Sequence, residues 1–327
     1  MEYRKLGSSE LSLSAITYGA FAIGGTMWGG NERKNSIDAI HASIESGVTT
    51  LDTAPFYGFG LSEEIIGEAL QGRDRTKVQI LTKFGLVWDG SNKGKGEHFF
   101  DLTDNGKEVS VYKYASKANV IKEVEESLVR LRTDYIDLLQ IHWPDGSTPI
   151  DETMEALAAL IRQGKIRAAG VSNYSVSQLE EAAKTISIAS NQVAYSMLNR
   201  AIEKDLVPYT TDHNIGIIAY SPLERGLLSG KYFADAKLKA DDHRNGYFGQ
   251  FDPEKVKALI GKIQPLAQSK NATVAQLVLR WTSLQKGITV VLAGARNAEQ
   301  AISNAGAMDF TLAADELQFI NTQLSKL

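Results

Sequence analysis

Apolar residues recur along this chain in two rhythms that take turns. Short runs rich in aliphatic and β-branched residues occupy 16–18, 48–51, 78–81, 136–141, 167–171, 190–193, 216–219 and 288–292. Between them, apolar positions return every three or four residues over 36–46, 63–70, 119–131, 152–163, 176–185, 202–214, 253–270, 274–285 and 298–307. The first rhythm predicts buried strands and the second amphipathic helices. Ser62, Asp151 and Ser175 stand where side-chain caps of the following helices are expected.

Strands that alternate with helices predict an α/β protein with a parallel sheet, and eight such units predict a closed (β/α)8 TIM barrel. An open doubly wound sheet would carry a G-x-G-x-x-G turn after its first strand; the chain has GAFAIGG there. No G-x-x-x-x-G-K-[ST] loop is present. Tyr3–Lys5 and 11–13, joined through Gly7-Ser8-Ser9, predict a hairpin under the barrel floor. The whole of 1–327 is expected to form one barrel domain. Two segments break the rhythm, 85–116 and 227–250. Both leave the C-terminal ends of strands, where barrel enzymes place their chemistry, and both are expected to be long functional loops.

Composition narrows the functional classes. A net charge of −4 provides no basic field for a phosphate backbone, so nucleic acid is an unexpected partner. With no cysteine, thiolate nucleophiles and thiolate metal sites are excluded, and a reducing, cytoplasmic setting is expected. No signal peptide and no membrane-spanning run of about 18 apolar residues is read in the sequence. His98, His213 and His243 lack metal-ligand spacing, and no metal is expected.

The chemistry is read at the strand ends. Asp52 closes the second strand with Tyr57 just beyond it, Lys83 closes the third and His142 the fourth. Taken singly, each has a blander reading as a turn residue, a solvated lysine, a core tyrosine or a structural histidine. Together they form an acid–base set. An isolated buried charge costs several kcal/mol, so Asp52 and Lys83 on adjacent strands are expected to pair. The ammonium is expected to lower the Tyr57 pKa from about 10 toward working pH, making it a general acid. His142 is expected to hold the substrate oxygen.

The chain resembles the aldo-keto reductase superfamily nearly end to end. The resemblance is carried by DTAPFYG at 52–58, ILTK at 80–83, YIDLLQIH at 135–142, GKIRAAGVSN at 164–173, YSPLERGLL at 220–228 and GARNAEQAISN at 294–304. It implies a catalytic tetrad of Asp52, Tyr57, Lys83 and His142, and an extended nicotinamide dinucleotide bound without a Rossmann motif. It also implies that Ser172, Asn173 and Gln192 read the carboxamide while Tyr220 stacks on the ring. Ser221, Leu223, Gly226 and Leu228 would follow the pyrophosphate, with Lys231 adding charge. Gly294, Arg296, Gln300 and Asn304 would hold the adenosine end. A helix start beside Arg296 suits a 2′-phosphate, which favours NADPH, with NADH left open.

Phe21, Phe56, Trp88 and Trp143, together with Trp28, are expected to wall a substrate pocket, whereas Trp281 reads as core. The expected activity is reduction of small aldehydes, ketones or sugars to alcohols. Alternatives are a redox-sensing subunit that binds NADPH with little turnover, a Schiff-base barrel enzyme using Lys83, and a glycosidase. The last lacks a second strand-end carboxylate. No heptad or broad apolar helix face marks an oligomer interface.

Overall fold

The computed structural model describes residues 1–25, 31–104, 106–234 and 244–327. Trp28 and His243 lie outside the described residues, as does part of the 227–250 loop. A closed barrel of eight parallel strands forms the centre. Its members are β3 (Ile16–Gly19), β4 (Thr50–Asp52), β5 (Gln79–Phe84), β9 (Ile136–Ile141), β10 (Ile166–Ser172), β11 (Ser190–Ala194), β12 (Gly216–Tyr220) and β13 (Ile288–Gly294), neighbouring one another in that order and closing from β13 back to β3. These are the eight runs expected from sequence, with ends shifted by a residue or two and a larger extension at the end of β5.

The hairpin of β1 (Tyr3–Lys5) and β2 (Ser12–Ser14) pairs antiparallel at the floor. Its Leu6, Leu11 and Leu13 are fully buried against Leu81, Leu138, Ile218 and Val290 from inside the barrel. The outer layer includes the helices Arg33–Glu45, Leu61–Ala69, Lys117–Leu131, Ile150–Arg162, Val176–Ala183, Leu206–Asp212, Val274–Ser283 and Ala298–Ala305. Their apolar stripes pack on the barrel's outer face in one continuous core. Trp281 is fully buried there, with its indole N–H donating to Asn321 Oδ1 at 3.0 Å.

Some local expectations are corrected. Ser175 caps its helix with a reciprocal Gln178 bond. Ser62 instead lies inside its helix, which starts after left-handed Gly60; the hydroxyl hydrogen-bonds with Thr53 and donates to the Ala20 carbonyl. Asp151 likewise sits one residue inside a helix that begins after Pro149. The helix Ala314–Leu324 had no counterpart in the sequence reading.

The segment 85–116 is not an irregular loop. It folds as a three-stranded antiparallel sheet of β6 (Leu86–Val87), β7 (Glu97–Asp104) and β8 (Lys107–Lys113), in the order β6-β8-β7. Two buried carboxyl groups hold its base. Glu123 accepts from the Gly85 amide at 3.0 and 3.2 Å, and Asp145 accepts from the Ala115 amide at 2.8 Å. The 227–250 segment contributes two short helices, Lys231–Ala234 and Arg244–Phe248.

Candidate active site

β4, β5 and β9 are consecutive barrel neighbours, so Asp52, Lys83 and His142 emerge side by side at one rim. Lys83 donates to Asp52 Oδ1 at 2.7 Å and to the Thr53 carbonyl at 2.8 Å, and both side chains are buried. Gln192 donates to the other oxygen, Asp52 Oδ2, at 2.8 Å. The buried carboxylate is therefore satisfied on both oxygens, which offsets the desolvation it suffers.

Tyr57 is set above this pair by a tightly wound loop. Gly58 has φ +68°, and a Cβ there would approach the Gly24 carbonyl oxygen to 2.1 Å; one on Gly24 would meet the Tyr57 carbonyl carbon at 2.5 Å. Only two backbones without side chains pass this closely, which locks the loop against the one before it. The Lys83 ammonium lies 4.9 Å from the centre of the Tyr57 ring, and the His142 ring lies 5.7 Å away, edge to face.

The electrostatics differ from expectation in one respect. Burial pushes the Tyr57 phenol up from 10.0, and Lys83 pulls it back only in part. The phenol thus stays protonated instead of moving toward neutral pH. The same burial, aided by Lys83, holds His142 well below 6.5, so its imidazole is neutral and retains one N–H to donate. Burial opposes the charge on Lys83, but Asp52 and Tyr57 outweigh it and raise the ammonium, which therefore stays charged.

A cavity of about 710 Å³ opens over the rim. Along β10 and β11 its lining carries a fixed polar shelf. Ser172 donates to the Gln192 carbonyl at 2.9 Å, and Asn173 donates to Ser172 Oγ at 3.1 Å and to the His142 carbonyl at 3.2 Å. Tyr220, at the end of β12, donates to Asn173 Oδ1 at 3.0 Å, and burial pushes its own phenol up to about 12. Ser221, Leu223, Gly226 and Lys231 continue the lining along the next loop, and Gly294, Arg296, Gln300 and Asn304 complete it beyond β13. The turn at 294–296 is tied down by its own helix. Gln300 accepts from the Arg296 amide at 3.0 Å, and Asn304 donates to the Gly294 carbonyl at 3.0 Å. Asn297 caps that helix through the Gln300 amide.

The donor set fits an extended dinucleotide diphosphate. A polar shelf and an aromatic ring sit beside the rim phenol. Arg225, Lys231, Arg244 and Arg296 also line the cavity, and the capped helix start beside Arg296 favours negative charge.

Two expected residues fall elsewhere. Leu228 is fully buried behind the loop and is not part of the lining. Trp88 stands behind Phe56, ring centres 6.0 Å apart, and also misses the cavity. Phe21, Phe56 and Trp143 do line it. Sequence reasoning missed Phe99 and Phe100, from β7, and the lining cations Arg225 and Arg244. The run D-N-G at 104–106 between alternating segments was the available signal for the β7–β8 hairpin.

A closed barrel that carries a buried, charge-paired lysine under a protonated phenol, next to a cationic groove, belongs among the barrel oxidoreductases. The model of the aldo/keto reductase family matches residues 15–323, and the chain belongs to that family. It is 37% identical to the aldo-keto reductase YhdN of Bacillus subtilis (strain 168), over 99% of this chain and 94% of the relative. It is 36% identical to the NADH-specific methylglyoxal reductase of Escherichia coli (strain K12), over 94% and 93% of the two chains. Among solved structures it resembles the glycerol dehydrogenase AKR11B4 of Gluconobacter oxydans, with a TM-score of 0.87, 36% identity, and 99% and 95% of the two chains covered.

Proposed function

We propose that this chain reduces the carbonyl group of small aldehydes, ketones or sugars to the alcohol, with NADPH preferred over NADH, and that residues 1–327 work as one catalytic unit. The observation that carries the reading is the protonated Tyr57 phenol above the buried Lys83–Asp52 pair, facing a cavity with a cationic far end. When bound, the nicotinamide supplies the hydride that reaches the carbonyl carbon. Tyr57 gives its phenolic proton to the carbonyl oxygen, and Lys83 stabilises the phenolate left behind. Asp52 keeps Lys83 charged and in place. Neutral His142 donates its N–H to the same oxygen and fixes it in line with the phenol.

Ser172, Asn173 and Gln192 would hold the carboxamide, and Tyr220 would cover the ring face. Arg296 would fork onto a 2′-phosphate, which is the basis for preferring NADPH. One relative is named as NADH-specific, and NADH is kept as the alternative donor. A cytoplasmic location is supported by the absence of cysteine and, among the described residues, of any helix long and apolar enough to cross a membrane.

The test is a titration with NADPH and with NADH, following tryptophan fluorescence, then addition of small aldehydes while reduced-nicotinamide absorbance is recorded. Tighter NADPH binding with substrate-dependent loss of absorbance is expected. Tight binding with no turnover of any carbonyl would favour a sensing subunit instead.

A further inference from the structure

The cavity lining divides by chemistry along the fold. The lining cations, Arg225, Lys231, Arg244 and Arg296, all come from chain segments that follow β12 or β13. The part contributed by the loops after β3, β4 and β9 and by the three-stranded sheet is Phe21, Ala22, Phe56, Leu86, Phe99, Phe100 and Trp143, with Tyr57 and His142 at its foot. Among the described residues, no charged side chain lines this part apart from Asp52, which is already bound to Lys83 and Gln192. Lys113 comes within 5.2 Å of the Phe99 ring centre, but its ammonium is paired with Glu97 at 2.8 Å and it is not in the lining.

Phe99 and Phe100 are consecutive residues of one strand, and consecutive strand residues ordinarily face opposite sides. The register explains how both reach the cavity. His98 pairs with Tyr112, and Phe100 pairs with Val111, so two steps along β7 match one along β8. Phe99 is the extra residue of a β-bulge, a device that re-aims side chains and recurs beside active sites. His98 and Tyr112 meet on the outer face, ring centres 5.5 Å apart, whereas Val111 is fully buried on the inner one. Phe99 alternates inward from His98, and the bulge brings Phe100 inward as well. Phe99 then packs on Trp143 at 5.2 Å, Phe100 packs on Phe56 at 5.8 Å, and the two phenyl rings meet each other at 4.9 Å.

We infer that the bulge at Phe99 is a specificity device: by turning two adjacent phenylalanines into the substrate end, it selects uncharged carbonyl compounds whose substituent is flat and apolar, and rejects carboxylated or phosphorylated ones. The inference rests on the reductase reading above. A flat ring carried next to the carbonyl would find edge and face contacts from Phe99, Phe100 and Trp143. An anion there would lose its hydration with no cation to meet it.

The test compares three substrates with the same reacting aldehyde: phenylglyoxal, methylglyoxal and glyoxylate, which carry a benzoyl group, an acetyl group and a carboxylate next to it. The kcat/KM ratio of phenylglyoxal to methylglyoxal is expected to be roughly ten- to a hundredfold, the range a well-fitted apolar pocket gives, with glyoxylate the poorest. Phe99→Ala and Phe100→Ala should each reduce that ratio about tenfold, chiefly through KM for phenylglyoxal, and Phe99→Tyr should retain most of it. Deleting Phe99 restores regular alternation and leaves one ring inside, so it should lower the ratio as Phe99→Ala does. Tryptophan quenching by NADPH reports that each variant is folded. A wild-type ratio near one, better turnover of glyoxylate, or a ratio that survives both alanine variants would overturn the inference and leave the reductase intact. Turnover of none of the three by protein that binds NADPH would overturn the reductase reading and the inference with it.

Discussion

The barrel rim and the three-stranded sheet at 85–116 meet over one cavity but are built on different terms. At the rim, position is dictated by strand register: Asp52, Lys83 and His142 are brought together because β4, β5 and β9 are neighbours in a closed parallel sheet. The polar groups there are bonded to one another in a continuous chain from Lys83 through Asp52 to Gln192. The added sheet contributes only apolar walls, placed by a bulge and held at its base by Glu123 and Asp145. The rim is thus fitted to perform a reaction common to many substrates, and the sheet to decide which of them enters. Chemistry and selection are carried by separable parts of the chain, and variants in one part should leave the signature of the other.

The strongest challenge to that division is Lys83→Met. Removing the ammonium leaves Asp52 buried without its charge partner, which costs about 3–5 kcal/mol in measured cases. Urea unfolding should report a loss of that order, and carbonyl reduction should fall at least about a hundredfold, as expected when acid catalysis is impaired. A stable, active Lys83→Met protein would mean that the pair is ornamental.

Arg296→Ala is expected to have the next largest effect. It should weaken NADPH about ten- to a hundredfold, the worth of a charge-assisted bond, and change NADH little. Equal losses for both nucleotides in the fluorescence titration would remove the 2′-phosphate assignment.

A smaller effect concerns the base of the sheet. Burial pushes the Glu123 carboxyl up from 4.5 to about 8, with the Gly85 amide opposing. Between those values the folded protein holds a proton that the unfolded chain releases. The resulting stability is full below pH 4.5 and is lost as pH rises through 8. His142 has the opposite sign: its folded pKa lies well below 6.5, so its contribution is present above 6.5 and is lost as pH falls. Glu123→Gln should flatten the decline between pH 4.5 and 8 without altering the slope outside that window, as read from urea midpoints across pH. An unchanged decline between pH 4.5 and 8 would show that Glu123 does not titrate as described.

Legibility in the sequence followed the same division. The eight strands were readable because buried parallel strands are continuous apolar runs, and a single Asp, Lys or His at the end of such a run stands out. Polar residues after β10 to β13 carried less signal individually and were identified through the family resemblance. Phe99 and Phe100 escaped because a bulge breaks the two-residue period on which any strand reading depends. The place of Trp88 outside the cavity lining is hidden for a related reason, since proximity to Lys83 in sequence says nothing about which face of an excursion a ring occupies. The direction of the Tyr57 pKa is not legible in the sequence, because the burial that outweighs Lys83 exists only in the folded chain.

The most direct test of the central claim is a single-turnover measurement on NADPH-loaded protein, comparing the wild type with Tyr57→Phe as methylglyoxal is mixed in. The account requires nicotinamide oxidation to slow by about 10²–10⁴-fold in the variant, the range attributable to a positioned acid, while the NADPH-dependent fluorescence change is preserved. An unchanged rate would show that the proton comes from elsewhere and that the phenol over the Lys83–Asp52 pair is not the acid.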